Sequence, residues 1–220
     1  NHKNSLLELF LNTNSLKILK PIDDTNVNKS IIFLPAKSLY PLPSELYNNF
    51  LNSVSSKNIK IYIPNNDNLE SVFNKIMREN NTATIVSHSN SAIDAINYSN
   101  KYDFINNLVL LDPLTNINKN DNSISDIIEI NNINDINKIN NKNTKLNIDN
   151  IDNLLIINSK KSNEWSLFPT IFPIGMFSLK LSELNISENI NKDVIIVDLF
   201  GHFDILDTSW SNFIHNYLSK

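Results

Sequence analysis

Residues 84–96, with the sequence TIVSHSNSAIDAI, decide the fold. They begin as a short apolar strand, pass through a tight turn of small residues and continue with helical periodicity. Ser89 stands in the turn, with a serine two positions before it and another two positions after it. A strand, a sharp turn and a helix in this order are typical of a nucleophile elbow, which raises a serine hydroxyl at the carboxyl end of a sheet. An ordinary serine-rich turn has the same local pattern, so the rest of the chain must decide between the two interpretations.

The two flanking serines, Ser87 and Ser91, occupy positions where the elbow pattern usually has glycine. The chain has 2 glycines, whereas about a fifth of its residues are asparagine. Asparagine tolerates left-handed backbone better than most residues. We therefore expect asparagine to take turn positions that glycine fills in other proteins, and a small serine to be compatible with the elbow.

The composition predicts one globular domain over residues 1–220, since 41% of the residues are hydrophobic and 19% are charged. The net charge of −4 and the pI near 5.5 argue against nucleic acid as a partner. Cysteine, a visible signal peptide and an apolar run of membrane-spanning length are all absent, which predicts a cytoplasmic protein without a transmembrane segment. Residues 1–4 do not resemble a natural start, which indicates that the native chain begins earlier.

Short apolar runs alternate with helical patterns along most of the chain. The runs lie at 30–34, 59–63, 83–86, 108–111, 154–157 and 194–197, and helical spacing follows the first three of them. This alternation predicts an α/β fold, with a mostly parallel central sheet and helices on both faces. Apolar residues within 5–19 fit additional first strands, and residues 210–218 fit a closing C-terminal helix.

The alternation stops at residues 116–150, which are almost all Asn, Ile, Asp and Lys. One interpretation is a low-complexity insertion after the fourth clear strand that is partly mobile. The other is a lid over a functional site, because long excursions at this edge of a sheet are often functional. After the fifth strand comes an aromatic-rich loop with Trp165, Phe168 and Phe172, whose side chains fit either an apolar substrate pocket or the core.

His202 is the candidate general base. It directly follows the last strand, and therefore lies at the same carboxyl edge of the sheet as Ser89. Gly201 precedes it, which indicates a backbone requirement that asparagine could not meet. His88 adjoins Ser89, but neighbouring side chains in a tight turn point apart, so it is a poor partner for the serine. A hydrogen-bonded core histidine remains the alternative for His202.

A general base needs an acid that orients it. Asp112 lies at the tip of the fourth strand, directly before Pro113, and is our choice, with turn capping as the alternative. Residues 158–159 after the fifth strand offer no carboxylate. Asp198 and Asp204 flank the histidine too closely in sequence for the acid's usual place.

Two backbone N–H groups should form an oxyanion hole. The first is that of Asn90, which follows Ser89. The second should come from the loop after residue 34, where Pro35 has no N–H, so that Ala36 or Lys37 must supply it. No histidine and carboxylate cluster has metal-ligand spacing and no glycine-rich phosphate loop is present, so we expect no metal and no organic cofactor.

Taken together, three motifs resemble the α/β-hydrolase superfamily and, within it, the chlorophyllase-like group of serine esterases. The motifs are residues 87–91, 111–114 and 201–207, and the resemblance extends over about residues 30–215. It implies an α/β-hydrolase fold with Ser89 as nucleophile, Asp112 as acid and His202 as base. The chain differs from that group in the elbow glycines, in a missing His-Gly pair and in the 116–150 insertion.

The resemblance implies that a small-molecule or lipid-like ester is the substrate, cleaved through an acyl-enzyme. Acyl transfer would use the same residues and differ in the access of water. The alternative is a catalytically inactive protein of this fold that binds a ligand or serves as a scaffold. Loss of the elbow glycines and the low-complexity insertion favour that alternative, whereas the presence of Ser89, Asp112 and His202 together favours the enzyme.

Overall fold

The central element is a seven-stranded sheet. The computed structural model describes residues 16–20, 29–37, 42–56, 59–64, 68–79, 82–115, 145–164 and 177–207. The strands of this sheet are β1 (Lys17–Leu19), β2 (Lys29–Leu34), β3 (Lys60–Ile63), β4 (Thr82–His88), β5 (Ile105–Leu111), β7 (Asn153–Ser159) and β9 (Asn191–Val197). They contain the six apolar runs, so the strand predictions are confirmed.

The strands follow the order β1-β3-β2-β4-β5-β7-β9. Every neighbouring pair is parallel except β1 and β3, which are antiparallel. β1 is the described part of the predicted first strands, and residues 5–15 lie outside the described chain. Strand β4, which leads into the turn at Ser89, is at the centre of the sheet, between β2 and β5. The carboxyl ends of β4, β5, β7 and β9 therefore meet at one edge.

Helices cover both faces of the sheet, as predicted. Among the described residues these are α1 (Asn48–Ser55), α2 (Leu69–Arg78) and α3 (Ala92–Lys101). Helix α2 buries positions 69, 72, 73 and 76, a helical spacing that turns one apolar stripe towards the sheet. Helices α2 and α3 share one core cluster, and α1 contributes to the cluster on the opposite face. None of the described helices is long and apolar enough to cross a membrane.

The end of the predicted insertion is part of the folded structure. Strand β6 (Leu146–Ile148) pairs in parallel with β8 (Leu184–Ile186) in a separate two-stranded sheet. Ile148 is fully buried in the same core cluster as α2 and α3. Residues 116–144 lie outside the described chain, and the choice between a mobile insertion and a lid stays a prediction for them.

Strand β9 differs from the other parallel strands in its burial. Ile196 is 64% exposed, and the burial pattern is exposed along almost the whole strand. The position of β9 agrees with this exposure, since among the described strands it lies at the edge of the sheet, next to β7. The predicted C-terminal helix at 210–218 lies outside the described chain.

Candidate active site

The chain reverses sharply in the turn after β4. Ser89 has φ 61°, in the left-handed region that non-glycine residues seldom occupy, and begins the 3-10 turn Ser89–Ser91 that leads into α3. The residue before it, His88, is still extended. Such a reversal within one residue costs backbone energy and is commonly found at functional sites. It places the Ser89 hydroxyl at the carboxyl edge of the sheet.

At this edge, three of the predicted residues are joined by hydrogen bonds. The Nε2 atom of His202 lies 2.9 Å from Ser89 Oγ, and its Nδ1 atom lies 2.5 Å from Asp112 Oδ2. An ionised carboxylate can only accept, so Nδ1 carries a hydrogen. In the neutral ring, Nε2 then accepts a hydrogen bond from the Ser89 hydroxyl. All three side chains are buried, with His202 2% exposed.

Asp112 has more partners than the sequence indicates. It has φ 42°, which turns the chain sharply at the end of β5. The Ser159 N–H donates to its Oδ1 at 2.7 Å, and the Ser162 hydroxyl donates to its Oδ2 at 2.5 Å. Burial raises the pKa of Asp112, but the hydrogen bonds and charge of His202, with those two serines, outweigh it and hold the pKa below its ordinary value. The end of β7, which lacks a carboxylate, thus supplies hydrogen-bond donors to the acid.

The other candidate acids have separate partners. Asp198 forms an exposed ion pair with Lys160 at 3.1 Å. Asp204 accepts the Gly201 N–H at 2.6 Å. Both contacts are local to the loops around β9.

His88 lies in a second buried network that sequence analysis missed. Its Nε2 atom is 2.8 Å from the backbone oxygen of His202. That oxygen only accepts, so Nε2 carries the hydrogen and Nδ1 accepts from the Tyr47 hydroxyl, also at 2.8 Å. The Tyr47 oxygen in turn accepts the Ala36 N–H at 3.1 Å. His88 therefore binds the backbone oxygen of His202, whereas the hydroxyl of Ser89 is hydrogen-bonded to the His202 ring.

Burial and the neighbouring imidazole fix the charge of His88. Burial, followed by repulsion from His202, lowers the pKa of His88 from 6.5 to about 3. The two rings are close, with centroids 4.8 Å apart and an angle of 33° between their planes. Burial also raises the pKa of Tyr47 above its ordinary value. Tyr47 and His88 thus remain neutral near pH 7.

Three contacts attach the loop after β2 to the elbow. The Ser91 hydroxyl donates to the Pro35 carbonyl at 2.5 Å, and the Lys37 N–H donates to Asn90 Oδ1 at 2.9 Å. The Lys37 ammonium forms an ion pair with Asp94 on α3. Ser91, at a usual glycine position, is fully buried and uses its hydroxyl to bind the loop. Both N–H groups predicted for the second oxyanion donor therefore already have partners, Ala36 in Tyr47 and Lys37 in Asn90.

Among the described residues, left-handed backbone is not found at asparagine or glycine. The residues with positive φ are Ser89 and Asp112, and Gly201 has no positive φ. Gly201 is buried, and the backbone requirement expected for it stays a prediction. Ser87 is fully buried and its hydroxyl has no hydrogen-bond partner, so it fits the elbow by its small size alone.

The predicted pocket residues Trp165, Phe168 and Phe172 lie outside the described chain. In the part that the structure describes, no three histidine, cysteine or carboxylate side chains form a group that could hold a metal ion. The expectation of no cofactor stays a prediction.

Solved structures resemble this arrangement of strands and helices. MenH from S. aureus has a TM-score of 0.51 at 12% identity, with 93% of this chain and 97% of that chain covered. FphF, a fluorophosphonate-binding serine hydrolase of Staphylococcus aureus solved with substrate bound, has a TM-score of 0.51 at 15% identity, covering 93% and 90%. A soluble variant of monoglyceride lipase from Saccharomyces cerevisiae, in complex with a substrate analog, has a TM-score of 0.52 at 9% identity, covering 92% and 88%.

The chain has the α/β-hydrolase fold. At these identities the likeness concerns the fold alone. Neither a protein-family model nor a curated protein matches the sequence. The turn at Ser89 directly follows β4, the central parallel strand of this sheet.

Proposed function

We propose that this α/β-hydrolase-fold protein hydrolyses carboxylic esters, with Ser89 as nucleophile, His202 as base and Asp112 as orienting acid. The observation that carries the proposal is the continuous hydrogen-bonded chain from Ser89 Oγ through both His202 nitrogens to Asp112 Oδ2. Chain order (serine, acid, histidine) also agrees with this fold. The left-handed backbone at Ser89 supports the same role, because it is the conformation of an elbow serine.

The reaction would proceed in two halves. Ser89 Oγ attacks the ester carbonyl carbon while its proton passes to His202 Nε2. The tetrahedral intermediate then collapses, and His202 returns that proton to the leaving alcohol. Water attacks the acyl-enzyme as His202 takes a proton from it, and Ser89 regains its proton when the carboxylic acid leaves.

The charges around the site suit this sequence of proton transfers. Asp112 keeps its negative charge, because the pKa of its carboxyl lies below the ordinary value. The charge stabilises the imidazolium of His202 and fixes the reacting tautomer. His88, whose pKa is about 3, stays neutral beside that ring and adds no repulsion when His202 is protonated.

Of the two candidates for the second oxyanion donor, the contacts favour Lys37. Its N–H is directed at the side chain of the residue that follows Ser89, whereas the Ala36 N–H is directed at the buried Tyr47 hydroxyl. The Ala36 side chain is buried, and Lys37 and Asn90 are partly exposed. We therefore assign the oxyanion hole to the N–H groups of Asn90 and Lys37.

We propose an apolar, small or lipid-like ester as substrate. The motifs at 111–114 and 201–207 resemble the chlorophyllase-like group, whose members are serine esterases. Trp165, Phe168 and Phe172 remain our candidates for the lining of an acyl or alcohol pocket.

One observation favours a second candidate function, an inactive protein that binds a ligand. Both Ala36 and Lys37 already donate their N–H groups within the protein, so the second oxyanion donor has an internal acceptor. If those bonds were permanent, the site would bind an ester without stabilising its oxyanion.

Ester hydrolysis tests the proposal. A panel of p-nitrophenyl esters from acetate to laurate is assayed with wild type, Ser89→Ala and His202→Ala, and Ser71→Ala on the exposed face of α2 serves as the control. We expect turnover by wild type and the control, and background rates for the two site variants. Turnover retained in Ser89→Ala would contradict the proposed nucleophile.

A further inference from the structure

The side chain of Asn90 accepts a hydrogen bond from Lys37, whose N–H is the proposed second donor of the oxyanion hole. Its Oδ1 atom accepts the Lys37 N–H at 2.9 Å, and Asn90 itself directly follows the serine of the elbow. A carboxamide oxygen carries partial negative charge and accepts hydrogen bonds as a substrate oxygen does. We propose that Asn90 Oδ1 occupies the Lys37 half of the oxyanion hole and is displaced when substrate binds. The inference rests on the proposed esterase function.

The displacement needs one side-chain rotation. The described contact of the Asn90 carboxamide is a single, partly buried hydrogen bond. The Lys37 loop keeps two other attachments when that bond breaks, namely the hydrogen bond from Ser91 to Pro35 and the ion pair of Lys37 with Asp94. The backbone donor therefore stays in place while its acceptor changes.

The partners of Ala36 make Lys37 the relevant donor. Tyr47, which accepts the Ala36 N–H, is fully buried and also hydrogen-bonded to His88. Freeing the Ala36 N–H would break a buried chain of hydrogen bonds that reaches the His202 loop, which is costly. Freeing the Lys37 N–H breaks one partly exposed bond.

The proposal makes Asn90 a residue that slows acylation. A substrate must break one hydrogen bond before the Lys37 N–H can stabilise its oxyanion, which raises the barrier to acylation. Removing the acceptor should therefore accelerate acylation by about two- to ten-fold, the factor expected for one net hydrogen bond.

Two variants of nearly equal size separate this role from a structural one. Asn90→Leu removes the acceptor, whereas Asn90→Asp makes it a carboxylate that holds the Lys37 N–H more strongly and repels an oxyanion. We expect the rate of labelling by a fluorophosphonate to fall in the order Asn90→Leu, wild type, Asn90→Asp. In that reaction Ser89 Oγ bonds to phosphorus, fluoride leaves, His202 takes the hydroxyl proton, and the phosphoryl oxygen enters the oxyanion hole.

The matched control is Asn106→Ala, which removes an exposed asparagine hydrogen bond to Asp152 at the opposite end of β5. It should label at the wild-type rate. Asn90→Leu labelling no faster than wild type, with wild type reactive, would overturn the displacement and leave the esterase proposal standing. Absence of labelling in wild type and in both Asn90 variants would overturn the esterase function and this inference together. If Asn90→Leu is labelled and wild type is not, the result would support the proposal, with a hydrogen bond between Lys37 and Asn90 that rarely breaks in wild type.

Discussion

At the scale of single residues, the site depends on two left-handed positions. Ser89 and Asp112 both have positive φ, and each directly follows a central parallel strand. Aspartate tolerates this conformation better than most residues, whereas for serine it is less common. Packing around Ser89 holds its strained backbone, since His88 before it and Ser91 two positions after it are both buried.

Replacing Asp112 with Asn should leave the fold intact and impair catalysis. An amide can donate to His202 Nδ1, which would favour the tautomer that cannot accept the Ser89 proton. We expect kcat for a p-nitrophenyl ester to fall by about ten-thousand-fold while KM changes little. Asp198→Asn, in an exposed ion pair, is the control. A loss of less than ten-fold in Asp112→Asn would contradict the role of Asp112.

The sequence contains enough information to bring Ser89, Asp112 and His202 together, because each comes shortly after a different apolar run. Parallel strands place such positions at one edge. The sequence does not predict the partners of those residues. Tyr47 and His88 are 41 residues apart and Ser162 and Asp112 are 50 apart, and no local pattern marks either pair. Positive φ falls on Ser89 and Asp112 rather than on a described asparagine or glycine, because composition does not determine the backbone conformation of single positions.

At the scale of elements, hydrogen bonds connect the loops that carry the site. The loop after β2 is bound to the elbow through Ser91, and the histidine loop is bound to β4 through His88. The Leu114 N–H donates to the Ser89 carbonyl at 3.1 Å, which joins the acid loop to the elbow. Positions on four strand ends are thus held relative to one another.

Tyr47→Phe tests the connection between two of these loops. The change keeps the ring but leaves the Ala36 N–H and His88 Nδ1 without their observed partner. We expect the free energy of unfolding to fall by about 1–3 kcal/mol, as for unsatisfied buried polar groups. Because His88 holds the His202 backbone, kcat should fall more than KM rises.

Urea unfolding and steady-state kinetics measure the two effects. Tyr98→Phe, a partly buried tyrosine on α3, is the control. Unchanged stability together with unchanged kcat in Tyr47→Phe would contradict the network.

At the scale of the whole molecule, His88 links stability to pH. An ordinary histidine, as in the unfolded chain, has a pKa of 6.5, whereas His88 in the folded protein has a pKa of about 3. Between pH 3 and pH 6.5, the unfolded chain therefore binds more protons than the folded protein. The folded state therefore loses stability as the pH falls from 6.5 towards 3. The free energy of unfolding should change with pH by an amount that approaches the uptake of one proton, roughly 1 kcal/mol per pH unit.

Urea unfolding of wild type and His88→Gln between pH 4.5 and 7 measures this slope. The variant should be less stable near pH 7 and should lose less stability on acidification. Asp112, whose pKa is lowered from 3.8, adds stability that is lost at still lower pH, outside this window. Equal slopes in the two proteins would show that His88 is not buried as a neutral ring.

The central claim is that the α/β-hydrolase fold carries an activated serine at position 89. The most direct measurement is labelling with a fluorophosphonate followed by intact mass and peptide mapping, with Ser89→Ala and His202→Ala beside wild type. We expect one equivalent of label on Ser89 in wild type and none in either folded variant, because attack needs both the hydroxyl and the base. A folded wild-type protein that takes up no label, or takes it up at a residue other than Ser89, would contradict the account.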